Sequence, residues 1–327
     1  MTIPTPKLTV SRALLSAALV ILASSSPLLR AANFVLSGSD ANGVSSFNTG
    51  TNWTGGAAPA PGNTYQTAGF VLRTPANSNA IAFAGSSLEV QNGGDLRIKT
   101  SAAVTVTNLI VDAGGIVDVS ATGSSLTGTM ILTNGMGYIS VGGGASFTCS
   151  SVISGPGGFN TFNAVSGAPA GTTIFTSANS FSGGININGG TLQVSATGGG
   201  STPLGSGTVT VDSGGTLVGG GGDAFGYSPH VAPATIFING GTVTDLGTSS
   251  YRITMPNITF AGGTLTSAPG NAGDANGNYS FFGAGAPTVV TTLATNTTAV
   301  ISAGKIALQQ NGQATGITTF NVAAGSV

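Results

Sequence analysis

Charge is scarce in this sequence of 327 residues: only 5% of it is Asp, Glu, Lys or Arg. The balance is a net charge of -1. A phosphate-binding surface needs clustered Lys and Arg to release counterions, so nucleic acid is excluded as a partner. Beyond residue 32 the basic side chains are Arg73, Arg97, Lys99, Arg252 and Lys305. Cysteine is represented by Cys149 alone, which excludes an intrachain disulfide framework and a Cys-based metal cage. Cys149 alternates with Phe147 in a strand-like run and reads as a small buried side chain. His230 is the single histidine, in an irregular segment from Gly219 to Pro233. Without a second histidine, a His-based metal site or a Ser-His-Asp triad has no support. Helix signals are also missing after residue 32, where Gly or Pro interrupts almost every window. No stretch there is apolar enough to span a membrane as a helix.

What is present is apolar and periodic. Hydrophobic residues make up 40% of the chain, the reverse of a disordered composition. Val, Ile, Leu and Phe alternate with Thr, Ser and Asn in short runs broken by Gly-Gly, a strand-turn-strand pattern of period 2. Gly pairs recur at 93-94, 114-115, 189-190, 214-215, 240-241 and 262-263. Their spacing is near 21 to 26 residues, apart from one gap about three times longer. Alternating strands precede the pairs, for example Leu88 and Val90, Val209 and Val211, or Ile236 and Ile238. Others follow them, at Leu96 and Ile98, Val117 and Val119, and Leu192 and Val194. One such period suits one coil of an all-β parallel β-helix, or β-solenoid. A β-sandwich is the alternative, but it does not explain a corner at a near-constant step.

Three regions are expected. Residues 1-32 read as a signal peptide: Lys7 and Arg12, an apolar run from Ala13 to Leu22, then small residues at Ala23 to Ser25 or near Ala31 and Ala32. An uncleaved anchor is the alternative reading. Residues 33-87 lack the Gly-Gly texture and gather Trp53, Pro59, Pro61, Tyr65, Arg73 and Pro75. They are expected to form an irregular N-terminal cap and a first coil, because open solenoid ends expose strand edges. A sugar-stacking platform is the other use for such aromatics. Residues 88-327 are expected to be solenoid repeats. The chain stops just after a corner-like segment, Phe320 to Val327, so the array is expected to be incomplete there and able to self-associate edge to edge.

Several segments in order resemble a known repeat: ISGPGGF at 153-159, ANSFSGG at 178-184, INGGTLQV at 187-194, PLGSGTVTV at 203-211 and GGTL at 214-217. They are similar to the autotransporter-associated β-strand repeat, with looser copies over roughly 88-150 and 230-270. The resemblance implies an exported bacterial passenger-like β-helix at the cell surface, and no shared catalytic motif. Residues 264-327 contain four aromatics, Tyr279, Phe281, Phe282 and Phe320, too few for the aromatic girdles of a membrane barrel.

The expected function is a structural or adhesive surface module without catalysis, taking no metal or cofactor. Extracellular glycans or cell-surface components are the expected partners. A carbohydrate-active β-helix that binds or cleaves a polysaccharide is the alternative. Its best candidate face is Asp95, Arg97 and Lys99 with Asp112 and Asp118. Aligning Gly93 on Gly114 puts Arg97 against Asp118, which reads as a cross-strand ion pair and not as catalysis. Asp274 to Asn278 echoes a calcium loop, but Gly285 stands where the bidentate Glu belongs, so an Asx-rich turn is expected. At the corners, Val111 and Val211 are expected inward, and Asp112 and Asp212 outward.

Overall fold

A computed structural model describes residues 31-162, 171-195, 203-226, 233-247, 250-275, 277-283, 286-295, 297-308 and 318-323. The putting together of short alternating strands follows the expected plan. Among these residues the protein is all-β, a β-solenoid of about nine turns. Each turn contributes a strand to two long parallel sheets. The first sheet runs from Asn33–Val35 to Ala299–Ser302, and the second from Val71–Arg73 to Thr319–Val322. A short third parallel sheet joins Ile253–Thr254, Tyr279–Ser280 and Ile306–Ala307. Parallel pairing of successive coils rules out the sandwich, whose sheets are antiparallel. A single hairpin, Phe282–Gly283 with Ala286–Pro287, is antiparallel.

Alternation sends every second side chain into the lumen. On the first sheet Tyr65, Leu88, Leu109, Met130 and Ile153 stack in register and are buried. On the second, Leu72, Leu96, Ile116 and Ile139 do the same. Burying each such side chain contributes roughly 1.5–3 kcal/mol, an upper bound against a compact unfolded chain. Val111 and Val211 face inward as expected, and Asp112 and Asp212 lie half-exposed on the outside.

The Gly pairs are not one equivalent corner. At Asn92 to Gly94 the chain passes from the first sheet to the second. At Asn188 to Gly189, and again near Gly214 and Gly240, it passes from the second to the first. The long gap in the Gly-Gly series spans this change of corner. The first-to-second corner continues through Gly157, Gly183 and Gly207. A Cβ on Gly183 would collide with the Gly157 backbone, and one on Gly207 with Gly184. Gly184 also has φ +83°, and its Cβ would sit 2.5 Å from the Thr208 carbonyl oxygen. Gly184→Ala is therefore expected to cost about 2 kcal/mol, from the left-handed backbone and the overpacked corner. An unchanged urea midpoint for this variant would contradict the packing.

The expected alignment of Gly93 on Gly114 fails beyond the corner. Gln91 pairs with Asp112, but Asp95 pairs with Gly115. The second corner is one residue shorter because Ala113 itself takes the left-handed conformation, at φ +54°. Gly115 thus belongs to the strand. A one-residue slip reverses every side chain. Ile116 and Asp118 point inward, while Val119, expected to alternate inward, is 40% exposed.

Residues 33-87 supply the first strands of both long sheets. Phe47, Trp53, Tyr65 and Phe83 are buried against one another, with Trp53 and Tyr65 edge to face at 4.9 Å. The Asp40 carboxylate accepts hydrogen bonds from Ser46 N and Oγ, Asn52 Nδ2 and Arg73 N. Asp40 N donates to the Val71 carbonyl, and Val71 N donates to Ser39 Oγ. The backbone of the first strand in the second sheet is thereby satisfied on its outer side.

Candidate functional site

The acidic and basic residues that the sequence grouped on one face are divided by the fold. Asp95 and Arg97 lie on the second sheet and pair with each other within one strand. Arg97 Nε and Nη2 donate to Asp95 Oδ2 at 3.0 and 2.9 Å. Arg97 faces Val117 on the next coil, not Asp118, so the expected cross-strand pair does not form. Lys99 N donates to Thr74 Oγ1. Asp112 ends a strand of the first sheet, where it accepts from Thr133 Oγ1 at 2.8 Å.

Asp118 is fully buried in the lumen. Its Oδ1 accepts from Ser120 N at 2.8 Å, and its Oδ2 has no hydrogen-bond partner. Burial raises its carboxyl above the ordinary carboxylate range, while Ser120 and, from beyond good hydrogen-bond geometry, Ser124 act the other way. Since the folded pKa is raised, the folded state holds its proton longer than the unfolded state. Stability is therefore full below about pH 4 and falls as pH rises through the folded pKa. Asp118→Asn removes this loss. The variant is expected to match the parent chain near pH 3.5 and exceed it at pH 8 by on the order of 1–2 kcal/mol, the scale of one unpartnered buried oxygen. Urea midpoints at the two pH values measure the difference; a constant difference would refute it.

The remaining candidates are absorbed by the fold. Trp53 and Tyr65 are core residues and offer no open sugar platform. Cys149 is buried, and burial pushes its thiol up to about 12, away from thiolate chemistry. Asp274 closes a tight turn with Gly277 and pairs with Arg252 Nη1 at 3.3 Å. Arg252 Nη2 also reaches Asp223 Oδ2 at 3.6 Å. The buried Asn278 donates from Nδ2 to the Asn271 carbonyl. Asp274 and Asn278 of the calcium-loop echo are thus engaged in holding the wall. Asn276, Gly285 and His230 lie outside the described residues, as do residues 1-30 of the expected signal. Among the described residues, no group of three or more His, Cys, Asp or Glu is placed to hold a metal. No helix there is long and apolar enough to cross a membrane.

One outward row was not singled out in the sequence. Tyr138, Asn160, Asn186, Thr210 and Phe237 are in register on five successive strands of the second sheet. All five are partly exposed. Each is the residue between two inward ones, as Asn186 is between Ile185 and Ile187. That middle position is legible once the strands are aligned. Tyr138 lies over Gly115, where a Cβ would strike its ring, and it packs on Phe162 with centroids 5.3 Å apart.

A family model described as the passenger-associated-transport repeat matches residues 170–194. These residues include Thr172–Phe175 on the first sheet, Ile185–Ile187 on the second, and Gly190–Val194 back on the first. No curated protein and no solved structure matches the chain. The repeat match and the solenoid of parallel coils together fit an autotransporter-associated β-strand repeat protein.

Proposed function

We propose that this chain is an exported passenger-like module that acts at the bacterial surface as a structural or adhesive body and not as an enzyme. The observation that carries this reading is the passenger-associated-transport repeat at residues 170–194, set within a continuous ladder of parallel coils. The disposition of the charges supports it. Arg97 is engaged by Asp95, and Arg252 by Asp223 and Asp274, as wall-stabilising pairs. Asp112 and Asp118 are directed to different sides of the wall. A glycosidase would need two carboxylates converging on one bond.

The test is expression of the full chain in a Gram-negative host, with its own residues 1-32, followed by fractionation. The expected product has lost its leader between residues 23 and 32 and is accessible to externally added protease or released to the medium. Particles coated with it should adhere to cells or extracellular matrix. An unprocessed cytoplasmic product would overturn the export reading. Release of reducing ends from polysaccharides by the purified chain would overturn the non-catalytic one.

A further inference from the structure

The row Tyr138, Asn160, Asn186, Thr210 and Phe237 runs along the solenoid axis, crossing strands instead of following one. Its five rungs make four steps of about 4.8 Å, so the row extends roughly 19 Å. Tyr138 and Phe237 flank the two amides and the hydroxyl; beyond them the same register continues through Gly115 to Asp95, which is paired with Arg97, on one side and to Thr259 and Thr291 on the other. No member of the row is charged.

The hydrogen bonding is only partly used within the protein. Asn186 Nδ2 donates to Asn160 Oδ1 at 3.0 Å. By inventory this leaves Asn160 both of its N–H donors and leaves Asn186 its carbonyl and one N–H. Donors and acceptors of both kinds therefore face solvent in one line. Phe162, at 37% exposed, widens the apolar surface beside Tyr138. At the Phe237 end the row adjoins a hollow of about 560 Å³ lined by Asp212, Ser213, Asn239 and Gly240, among others. The Asp212 carboxylate there accepts from Asn239 Nδ2 at 2.6 Å.

We infer that this row is a binding track for an uncharged polysaccharide. Aromatic faces match the apolar faces of sugar rings, and free amides match hydroxyls, which both donate and accept. The lack of charge along the row matches a neutral polymer and gives no attraction to an anionic one. Gly115 has a part in this: without a side chain, it leaves the space in which the Tyr138 ring lies. The inference rests on the adhesive reading above and gives it a ligand class.

The test is affinity electrophoresis of the purified chain through gels containing amylose, laminarin or dextran, with polygalacturonate and heparin as anionic polymers. At least one neutral polymer should retard the chain. Tyr138→Ala, Phe237→Ala and the double variant Asn160→Ala/Asn186→Ala should each weaken retardation about tenfold, equivalent to roughly 1.4 kcal/mol. Val152→Ser, at a position 52% exposed on the first sheet, should leave it unchanged. Circular dichroism and urea midpoints identify any variant that fails to fold; for such a variant, Tyr138→Leu or Phe237→Leu retains bulk while removing the ring. No retardation by any neutral polymer would overturn the inference. So would retardation that survives the substitutions, or stronger retention by the anionic polymers. A surface-exposed chain with no retardation defeats the glycan track alone. A retarded chain that is never exported defeats the surface reading alone.

Discussion

Phe181→Ala should lower the stability of the solenoid by roughly 3–5 kcal/mol, the range for truncating a buried aromatic. Phe181 has no exposed surface. Its ring meets Phe159 edge to face at 5.8 Å, and Phe159 in turn lies 6.1 Å from Phe175. The three rings fill the lumen around the passenger-repeat coil. A cavity there cannot be closed by one coil shifting, because each coil is pinned by parallel pairing to the coils on both sides. Urea denaturation followed by circular dichroism measures the effect. A change below about 0.5 kcal/mol, the scatter of ordinary surface substitutions, would show that the aromatic cluster does not hold this section.

A loss of comparable size is expected for Asn179→Ala, through polar groups instead of volume. Asn179 is buried, and its Oδ1 accepts from Ile153 N at 2.8 Å. Its Nδ2 donates to the Pro203 carbonyl at 2.7 Å. One side chain thus satisfies backbone groups of the preceding and the following coil. Removing it leaves both unpartnered, at about 1–3 kcal/mol each, or roughly 2–6 kcal/mol together. Asn179→Asp keeps an acceptor for Ile153 but offers a carboxylate to the Pro203 carbonyl, so it should not rescue stability at neutral pH. Amide exchange at Ile153 gives a local reading. Protection equal to that of the parent chain in Asn179→Ala would refute the clamp.

These two substitutions explain the segment ANSFSGG at 178–184 in physical terms. Asn179 ties three coils, Phe181 fills the lumen, and Gly183 with Gly184 makes a corner too tight for a Cβ. In the sequence the segment was recognisable as a repeat, but a buried amide and an exposed one look alike there. Asn186 lies seven residues further on and faces the outside. What separates them is whether the chain around each is a strand or a turn, and which groups of other coils come within reach.

The alternation of apolar and polar residues, the Gly-rich corners and the dearth of charge were enough to specify an all-β stack of parallel coils. Those features are local, since period 2 directs side chains and Gly permits the turn. They also placed Val111 and Val211 correctly inside. Register lies beyond local pattern. Ala113 occupies a left-handed position that the sequence reserves for Gly, which shortened one corner by a residue, buried Asp118 and separated it from Arg97. Likewise the Gly pairs look equivalent along the chain, yet they serve two different corners, because the same backbone freedom suits a turn in either direction. The row from Tyr138 to Phe237 was decided by stacking alone: its members are 22 to 27 residues apart, and only the pairing of coils sets them side by side.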